Sequence, residues 1–510
     1  MNNYLLSFKK RTFYIIALLC LSFLGCKKSL QIDPPVNSVN AQNIFLTDKT
    51  AEQAITGLYA TLSAENTIPT NFVSSVPGVF FAAGLSSDEL ILFNKNDATR
   101  ARYYTNSLTE LDYNSWNSLY NYILRTNAAI EGLQMSSILT PSIKAQLLGE
   151  AKFFRAFCYF YLVNLYGEVP LALQTDPEIN RLLYKSSKAL VYAQIISDLK
   201  EAEAILSSQF MNESLTNSST ERVRPNRWAA KALLSRAYLY NSEFASAEAK
   251  ASEVIGNTEL FSLMPVNQVF LKNSRETIWA LQPVRADLVN GYNTGESALF
   301  ILPATGPNTA DSQPSYPVYL SNSVVNSFEP GDARASNWLS SVSQGTNVYN
   351  FAYKYKAPRT QTTVTEYSIV LRLSEQYLIR AEAKIRQGGT KVVEGISDLN
   401  ILRFMRRNIA TTAVPNPLPD LSPSQSQLQA FQAIEHERQT EFFTEWGHRW
   451  LDLKRTPGFT NPSSTRADEV MPSVTQSKGG NWNANWKLYP IPQSERRYNP
   501  NLTGAQNLGY

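Results

Sequence analysis

"RWAAKALLSRAYLYNSEFASAEAKASEVI", residues Arg227 to Ile255, holds two helical patterns separated by two residues. The first runs from Arg227 to Tyr240 and the second from Glu243 to Ile255. A connection this short makes the two helices antiparallel neighbours. The many alanines let the helix axes approach closely. A chain that folds this way buries helix against helix, so the stretch predicts a mainly α fold.

Ala237, Tyr240 and Ala249 fall at the small and aromatic positions of a tetratricopeptide helix pair. A second pair is expected from Val370 to Gln387 and from Val393 to Arg406, around the Gly388-Gly389 break. Upstream, Thr47 caps a helix running to Ser63, and an apolar stripe marks another from Leu111 to Gln134. Pro141 suits the first turn of a helix reaching Tyr166, where Gly167 ends it. Lys188 to Leu206 is amphipathic. Residues 46–510 therefore read as one body, with a helical scaffold mainly at 47–270 and 366–455. Between the two parts, about 277–360, lies a loop-rich insert that opens on a short strand, "TIWALQ". An insert of this length in a helical chain is usually functional. Residues from about 456 to 510 read as irregular chain draped over the helices.

The beginning of the chain has a separate logic. Lys9, Lys10 and Arg11 precede an apolar run from Thr12 to Leu24. A run of about 13 residues is too short for a bilayer helix, which needs roughly 20. A basic patch, a short apolar stretch and a small residue describe a secretory signal over 1–25. Gly25-Cys26 resembles a lipobox, which makes Cys26 the lipid-bearing residue and 26–45, with Pro34-Pro35, a tether. The other reading is an ordinary secretory signal with an incidental cysteine. The formal charge is +4, and removal of the three signal cations leaves +1. That balance argues against a nucleic-acid partner, which requires a concentrated basic footprint. Of the three cysteines, Cys20 leaves with the signal and Cys26 is acylated. Cys158 then stands alone, without an internal disulfide, and reads as a small buried hydrophobe.

Catalytic motifs are scarce. The sequence has no C-x-x-C, Walker loop, G-x-G-x-x-G or G-x-S-x-G. His436-Glu437 begins like a zinc-protease motif, but Thr440 stands where the second histidine is required. No metal site and no cofactor are expected. "EHERQTEFFTEWGHRWLDLKR", Glu435 to Arg455, reads as an ion-paired helix in which Arg438, Arg449 and Arg455 pair with Glu437, Glu441 and Glu445.

Several blocks together resemble one family. "GEAKFFRAFCYFYLVNLYGEVPL", from Gly149, resembles the G-E-A-(R/K)-F-x-R-A…Y-G-x-V-P-L block of the SusD/RagB family. "RWAAKALLSRAYLY", "LRLSEQYLIRAEAKIRQGG", "ERQTEFFTEWGHRWLDLKR" and the closing "YPIPQSERRYNPNLTGAQNLGY" resemble further family blocks. Trp446 is an extra residue before Gly447 in the fourth. "CKKSLQIDPP" resembles the family's start, with Gln31 at a usually acidic position. The resemblance spans Cys26 to Tyr510. It implies an outer-membrane surface lipoprotein of Bacteroidetes-type bacteria that is not an enzyme. Four tetratricopeptide-like helix pairs would carry a loop-rich ligand-binding part. The protein would bind a glycan or other nutrient and pass it to a SusC-like TonB-dependent transporter.

Family ligand residues sit in variable loops, so candidates are chosen here by composition. Sugar rings pack on aromatic side chains, while sugar hydroxyls bond to amides and charged groups. Trp338, Tyr292, Tyr316, Tyr319 and Tyr349 are the candidates in the insert. Asn94, Asn96, Asp97, Arg100, Arg102 and Tyr103 are the candidates in an earlier irregular stretch. Two other readings stay open: the same architecture carrying a peptide or other nutrient, and a surface glycoside hydrolase, whose paired carboxylates leave no local signature.

Overall fold

A computed structural model describes residues 44–67, 73, 75–112, 114–284, 293–309, 315–358, 361 and 363–510. Its first long helix, α1 (Asp48–Thr67), starts where the Thr47 hydroxyl accepts the Thr50 amide at 3.2 Å. The short helix α2 (Val79–Ser86) is wholly buried and leads through Asp88 and Glu89 into strand β1 (Leu90–Leu92). Helix α3 (Ala98–Tyr104) follows, capped by Asp97.

The scaffold begins with α4 (Trp116–Met135) and α5 (Pro141–Tyr166). Pro141 occupies the first turn of α5, and Gly167 ends it at φ 78°, a conformation that costs glycine little. From Phe153 to Tyr166 nearly every side chain of α5 is buried, so this helix forms the centre of the body and not one of its faces. A two-residue ladder, β2 (Val169–Pro170) with β3 (Lys185–Ser186), closes the turn into α6 (Lys188–Ile205). Next come α7 (Arg227–Tyr240) and α8 (Phe244–Ile255), the hairpin that the alanine pattern predicts. Asn226 caps α7 by accepting the amides of Trp228 and Ala229.

The chain then leaves the array through β4 (Thr277–Leu281), α9 (Gly295–Phe300), β5 (Val318–Leu320), α10 (Ala333–Trp338) and the hairpin β6 (Leu339–Gln344) to β7 (Asn347–Ala352). It returns through β8 (Ser368–Arg372) into α11 (Leu373–Gln387) and α12 (Lys391–Met405). Strand β8 pairs antiparallel with β4, and α11 packs against α8. The helical row α4–α5–α6–α7–α8–α11–α12 is thus continuous across the insert. The second expected pair begins three residues late, because Val370 to Arg372 spend their backbone bonds on β4.

Two further differences have physical causes. The expected helix over Glu435–Arg455 is two helices, α13 (Gln427–Phe442) and α14 (His448–Arg455). Thr444, Trp446 and Gly447 take positive φ between them. The break is held from afar. Lys354 Nζ donates to the carbonyls of Glu441 and Phe443, Arg372 donates to that of Glu441, and the Trp446 indole donates to the Ile369 carbonyl. Cations at the carboxyl end of a helix satisfy its last carbonyls and its dipole. The closing segment is also less irregular than its turn residues suggest. It contains α15 (Arg466–Ser477), with a Thr465–Asp468 capping box and Pro472 inside, and α16 (Gln493–Tyr498).

Candidate functional site

β1 and β5 form a two-stranded antiparallel ladder in which Ile91 faces Tyr319. Leu90, Leu92, Val318 and Leu320 turn inward and are buried, so Ile91 and Tyr319 lie on the outer face. Phe93 continues that outer face, its amide bonded to the Pro317 carbonyl at 2.9 Å, and it is 39 % exposed. β7 lies beside β5 and brings in Tyr349. Its ring meets Tyr319 edge-on at 5.1 Å and Phe93 edge-on at 6.1 Å. Three aromatic side chains from three distant segments thereby form one stepped shelf. Gly306, at φ 77°, packs against Tyr349, and a Cβ there would sit 3.4 Å from that ring.

Polar residues adjoin the shelf along the chain. Asn94, Lys95 and Asn96 follow Phe93 in a turn where the Asn94 side-chain oxygen accepts the Asn96 amide. The Asn308 side-chain oxygen accepts the Tyr316 amide at 2.6 Å, and Gln344 lies against Gly306. Below the shelf, Tyr104 is buried between Lys95 and Lys478, and its hydroxyl is pushed up to about 12 by burial, with Tyr319 adding to the effect.

The two stretches chosen from sequence do converge here, but not every chosen residue is available. Tyr319 and Tyr349 stand in the shelf, and Tyr316, Asn94 and Asn96 lie at its edge. Asp97 instead caps α3 and pairs with Arg100 at 2.5 Å. Arg102 is tied to Asp112 and Thr109. Tyr103 is fully buried, edge-on to Tyr489. Trp338 is also fully buried: its indole donates to the Val266 carbonyl, and Phe270, Lys354, Arg372 and Arg406 pack around the ring. Tyr103 and Trp338 are therefore core residues, since neither presents surface to a ligand. Trp338→Ala is expected to cost roughly 3 kcal/mol in urea unfolding through the cavity it leaves, with ligand affinity of the folded protein unchanged. Cys26 and Tyr292 lie outside the described residues. Phe93 and Gln344 were not chosen from sequence. The apolar run "LILF" at 90–93 is consistent with a strand but carries no alternation, so only the pairing with β5 shows that Phe93 turns outward.

Other polar clusters serve the fold. A cleft of about 1020 Å³ between α1 and α4 is lined mainly by Phe45, Leu58, Ala129, Gly132 and Met135, and shares no residue with the shelf. Glu329, His436 and Glu437 bring ligand atoms within 4.8 Å of one another. Arg403 already pairs with both carboxylates, and Arg334 pairs with Glu437, so this donor set is spent on arginines. Ion pairing in the Glu435–Arg455 block is present, but with other partners than those expected. Arg438 pairs with Asp452, Arg449 with Asp88 and Glu435, and Arg455 with Glu382 and Asp452.

At the root of β1, Glu89 is buried and its carboxyl is pushed up to about 8, by burial first and by Asp88 beside it second. A carboxyl raised in the folded state and ordinary in the unfolded one loses stability as pH rises from about 4.5 to 8. Asp88, Arg449, Lys354 and Lys478 also act in this neighbourhood and titrate mainly outside pH 5–7 or near its upper end. Comparison with Glu89→Gln isolates the effect. The variant is expected to gain about 2 kcal/mol on the parent between pH 5 and pH 7, by urea unfolding at each pH.

Comparison with known proteins bears directly on this geometry. Residues 41–239 match a family model described as "Starch-binding associating with outer membrane" (SusD-like), and residues 276–510 match the SusD family model. The chain belongs to the SusD family. SusD-like protein P2 of Formosa agariphila is 26% identical over 543 residues, covering 98% of this chain and 100% of the relative. SusD-like protein P25 of the same organism is 23% identical over 297 residues, covering 54% of this chain and 52% of that relative. Among solved structures, surface glycan-binding protein A of Bacteroides uniformis is similar at TM-score 0.72 and 19% identity, over 90% of this chain and 99% of that one. A laminarin-binding SusD-like protein is similar at TM-score 0.68 and 20% identity, over 91% and 99%. At these identities the structural likeness establishes the SusD fold. The mainly α, tetratricopeptide-like architecture of the family is the one described above. Among the described residues no helix is long and apolar enough to cross a membrane.

Proposed function

We propose that this SusD-family protein is a glycan-binding lipoprotein of the outer-membrane surface. In this reading it holds an oligo- or polysaccharide on the Phe93–Tyr319–Tyr349 shelf and delivers it to a SusC-like TonB-dependent transporter. The observation that carries the reading is the shelf itself, three accessible rings with amide side chains adjoining them. The apolar face of a sugar ring packs on an aromatic ring, and the amides satisfy its hydroxyls, through water where direct contact fails. The glycan-binding and laminarin-binding relatives support the same ligand class. We read the protein as a binder and not an enzyme; among the described residues, Asp97, an acid next to the Asn94–Asn96 turn, is used to cap α3 and hold Arg100. Cys26 carries the lipid, residues 26–45 are the tether, and 46–510 form one body over the transporter. A tether of this kind raises ligand concentration at a pore without new contacts.

Affinity electrophoresis of the purified protein in laminarin and in soluble starch, beside a peptide panel, tests the binding reading. Retardation by a polysaccharide supports it. Binding to peptides alone overturns the sugar assignment, and steady release of reducing sugar overturns the non-enzyme reading. Loss of fatty-acid labelling in Cys26→Ser checks the anchor.

A further inference from the structure

One carboxylate ties together β1 and β5, two of the three strands that build the shelf. Asp88 immediately precedes Glu89 and β1, and its two oxygens accept Nε and Nη2 of Arg449 at 2.8 Å each. The Ser323 hydroxyl, just beyond β5, donates to the same carboxylate at 2.9 Å. The Ser321 hydroxyl donates to the Asp88 carbonyl, and the Ser321 amide donates to the Glu89 carbonyl at 2.9 Å. Asp88 and Arg449 are both buried. Arg449 sits on α14, within the block that carries the family resemblance, and pairs also with Glu435 on α13. From the other side, Lys478 donates to the carbonyls of Leu85 and Ser87, and Asn106 to that of Ser86.

We infer that the Asp88–Arg449 pair positions the ligand shelf: it clamps the root of β1 to the end of β5 and both to the helical body, and so fixes Phe93 relative to Tyr319. Neither residue touches ligand. Both act through the strands. A two-stranded ladder of three residues per strand has little stability of its own, so its geometry must be imposed from outside. A bidentate guanidinium–carboxylate pair fixes direction as well as distance. The inference rests on the shelf being the binding site.

The test has two arms, chosen to fail separately. Asp88→Asn keeps the side-chain size, and Glu435 still faces Arg449. Amide hydrogen exchange at Leu90–Phe93 and Val318–Leu320 is expected to rise about tenfold, with exchange in α4 and α5 unchanged. The dissociation constant for laminarin or soluble starch, whichever the parent protein binds, is expected to rise about tenfold. Arg449→Lys, which keeps the charge but loses the fork, is expected to fall between parent and Asp88→Asn in both readouts. Ser323→Ala, which leaves the charges alone, is expected to speed exchange in Val318–Leu320 only, and decides the matter if Asp88→Asn does not fold. Equal acceleration of exchange throughout the protein makes the pair merely structural and overturns the inference. Unchanged strand exchange overturns it too. If the parent binds neither polysaccharide, the site reading fails, and the exchange arm still decides whether the pair fixes the strands.

Discussion

Tyr349→Ala is expected to weaken polysaccharide binding about 30- to 100-fold, the largest single effect on function. Tyr349 stands between the other two rings, edge-on to Phe93 at 6.1 Å and to Tyr319 at 5.1 Å. Its removal takes away one stacking surface and the lateral support of two others. Edge-to-face ring pairs contribute about 0.5–1.5 kcal/mol each beyond buried area, and central aromatic anchors commonly account for 2 kcal/mol or more of a binding energy. A loss of roughly 2–3 kcal/mol corresponds to the range given. Phe93→Ala removes one ring at the edge and is expected to cost about tenfold. Isothermal titration with the polysaccharide that the parent protein binds measures both. Tyr349 is only partly buried on an exposed hairpin, so the variant should unfold in urea at nearly the parent midpoint. Parent-like affinity in Tyr349→Ala would remove the shelf from consideration as the binding surface.

The scaffold was legible from the sequence because its signals are local. Alanine spacing set α7 and α8, Pro141 and Gly167 bounded α5, and Thr47 opened α1, all within a few residues of the structure. What could not be read depends on partners far along the chain. The break at Phe443–Gly447 is imposed by Lys354, Arg372 and the Ile369 carbonyl, none of them within sixty residues. Pro472 looks like a helix breaker, yet it sits in α15, whose buried face of Ala467, Met471 and Thr475 packs on the body and on α14, so that tertiary burial overrides local propensity. The same limit governs the site. Composition finds aromatic loops, but it cannot tell an aromatic on the outer face of a ladder from one facing the core. Tyr319 and Trp338 lie in the same insert. The β1–β5 alternation turns Tyr319 outward, whereas Trp338 ends a helix that packs on Phe270 and a row of cations.

Glu441→Gln is expected to be the most damaging conservative substitution in the protein, costing about 4–5 kcal/mol in urea unfolding. Glu441 is fully buried and accepts from three guanidinium groups: Arg334 at 3.1 Å, Arg372 at 2.5 Å and Arg406 at 2.8 Å. The same arginines reach Asp332, Glu276, Glu437 and Glu445, so a single buried network joins α10, the residue before β4, β8, the residue that ends α12, and α13. Such a network adds little compared with apolar packing of the same volume, but removing one member leaves the others charged and unpaired in a medium that cannot solvate them. Glutamine preserves the shape and can accept through its carbonyl, but its amide nitrogen then faces arginine donors. The pH dependence carries the diagnostic sign. Burial alone would raise the Glu441 carboxyl, yet Arg406 and Arg372 outweigh it and hold the group well below the ordinary carboxylate range. A depressed carboxylate adds stability above its unfolded value and loses it as pH falls. The gap between parent and Glu441→Gln should therefore be constant above about pH 5 and shrink below about pH 4.5, the reverse of the Glu89→Gln comparison, in which the variant gains as pH rises. A gap that stays the same at pH 3.5 and pH 7 would mean that glutamine acts through shape and not through the loss of charge.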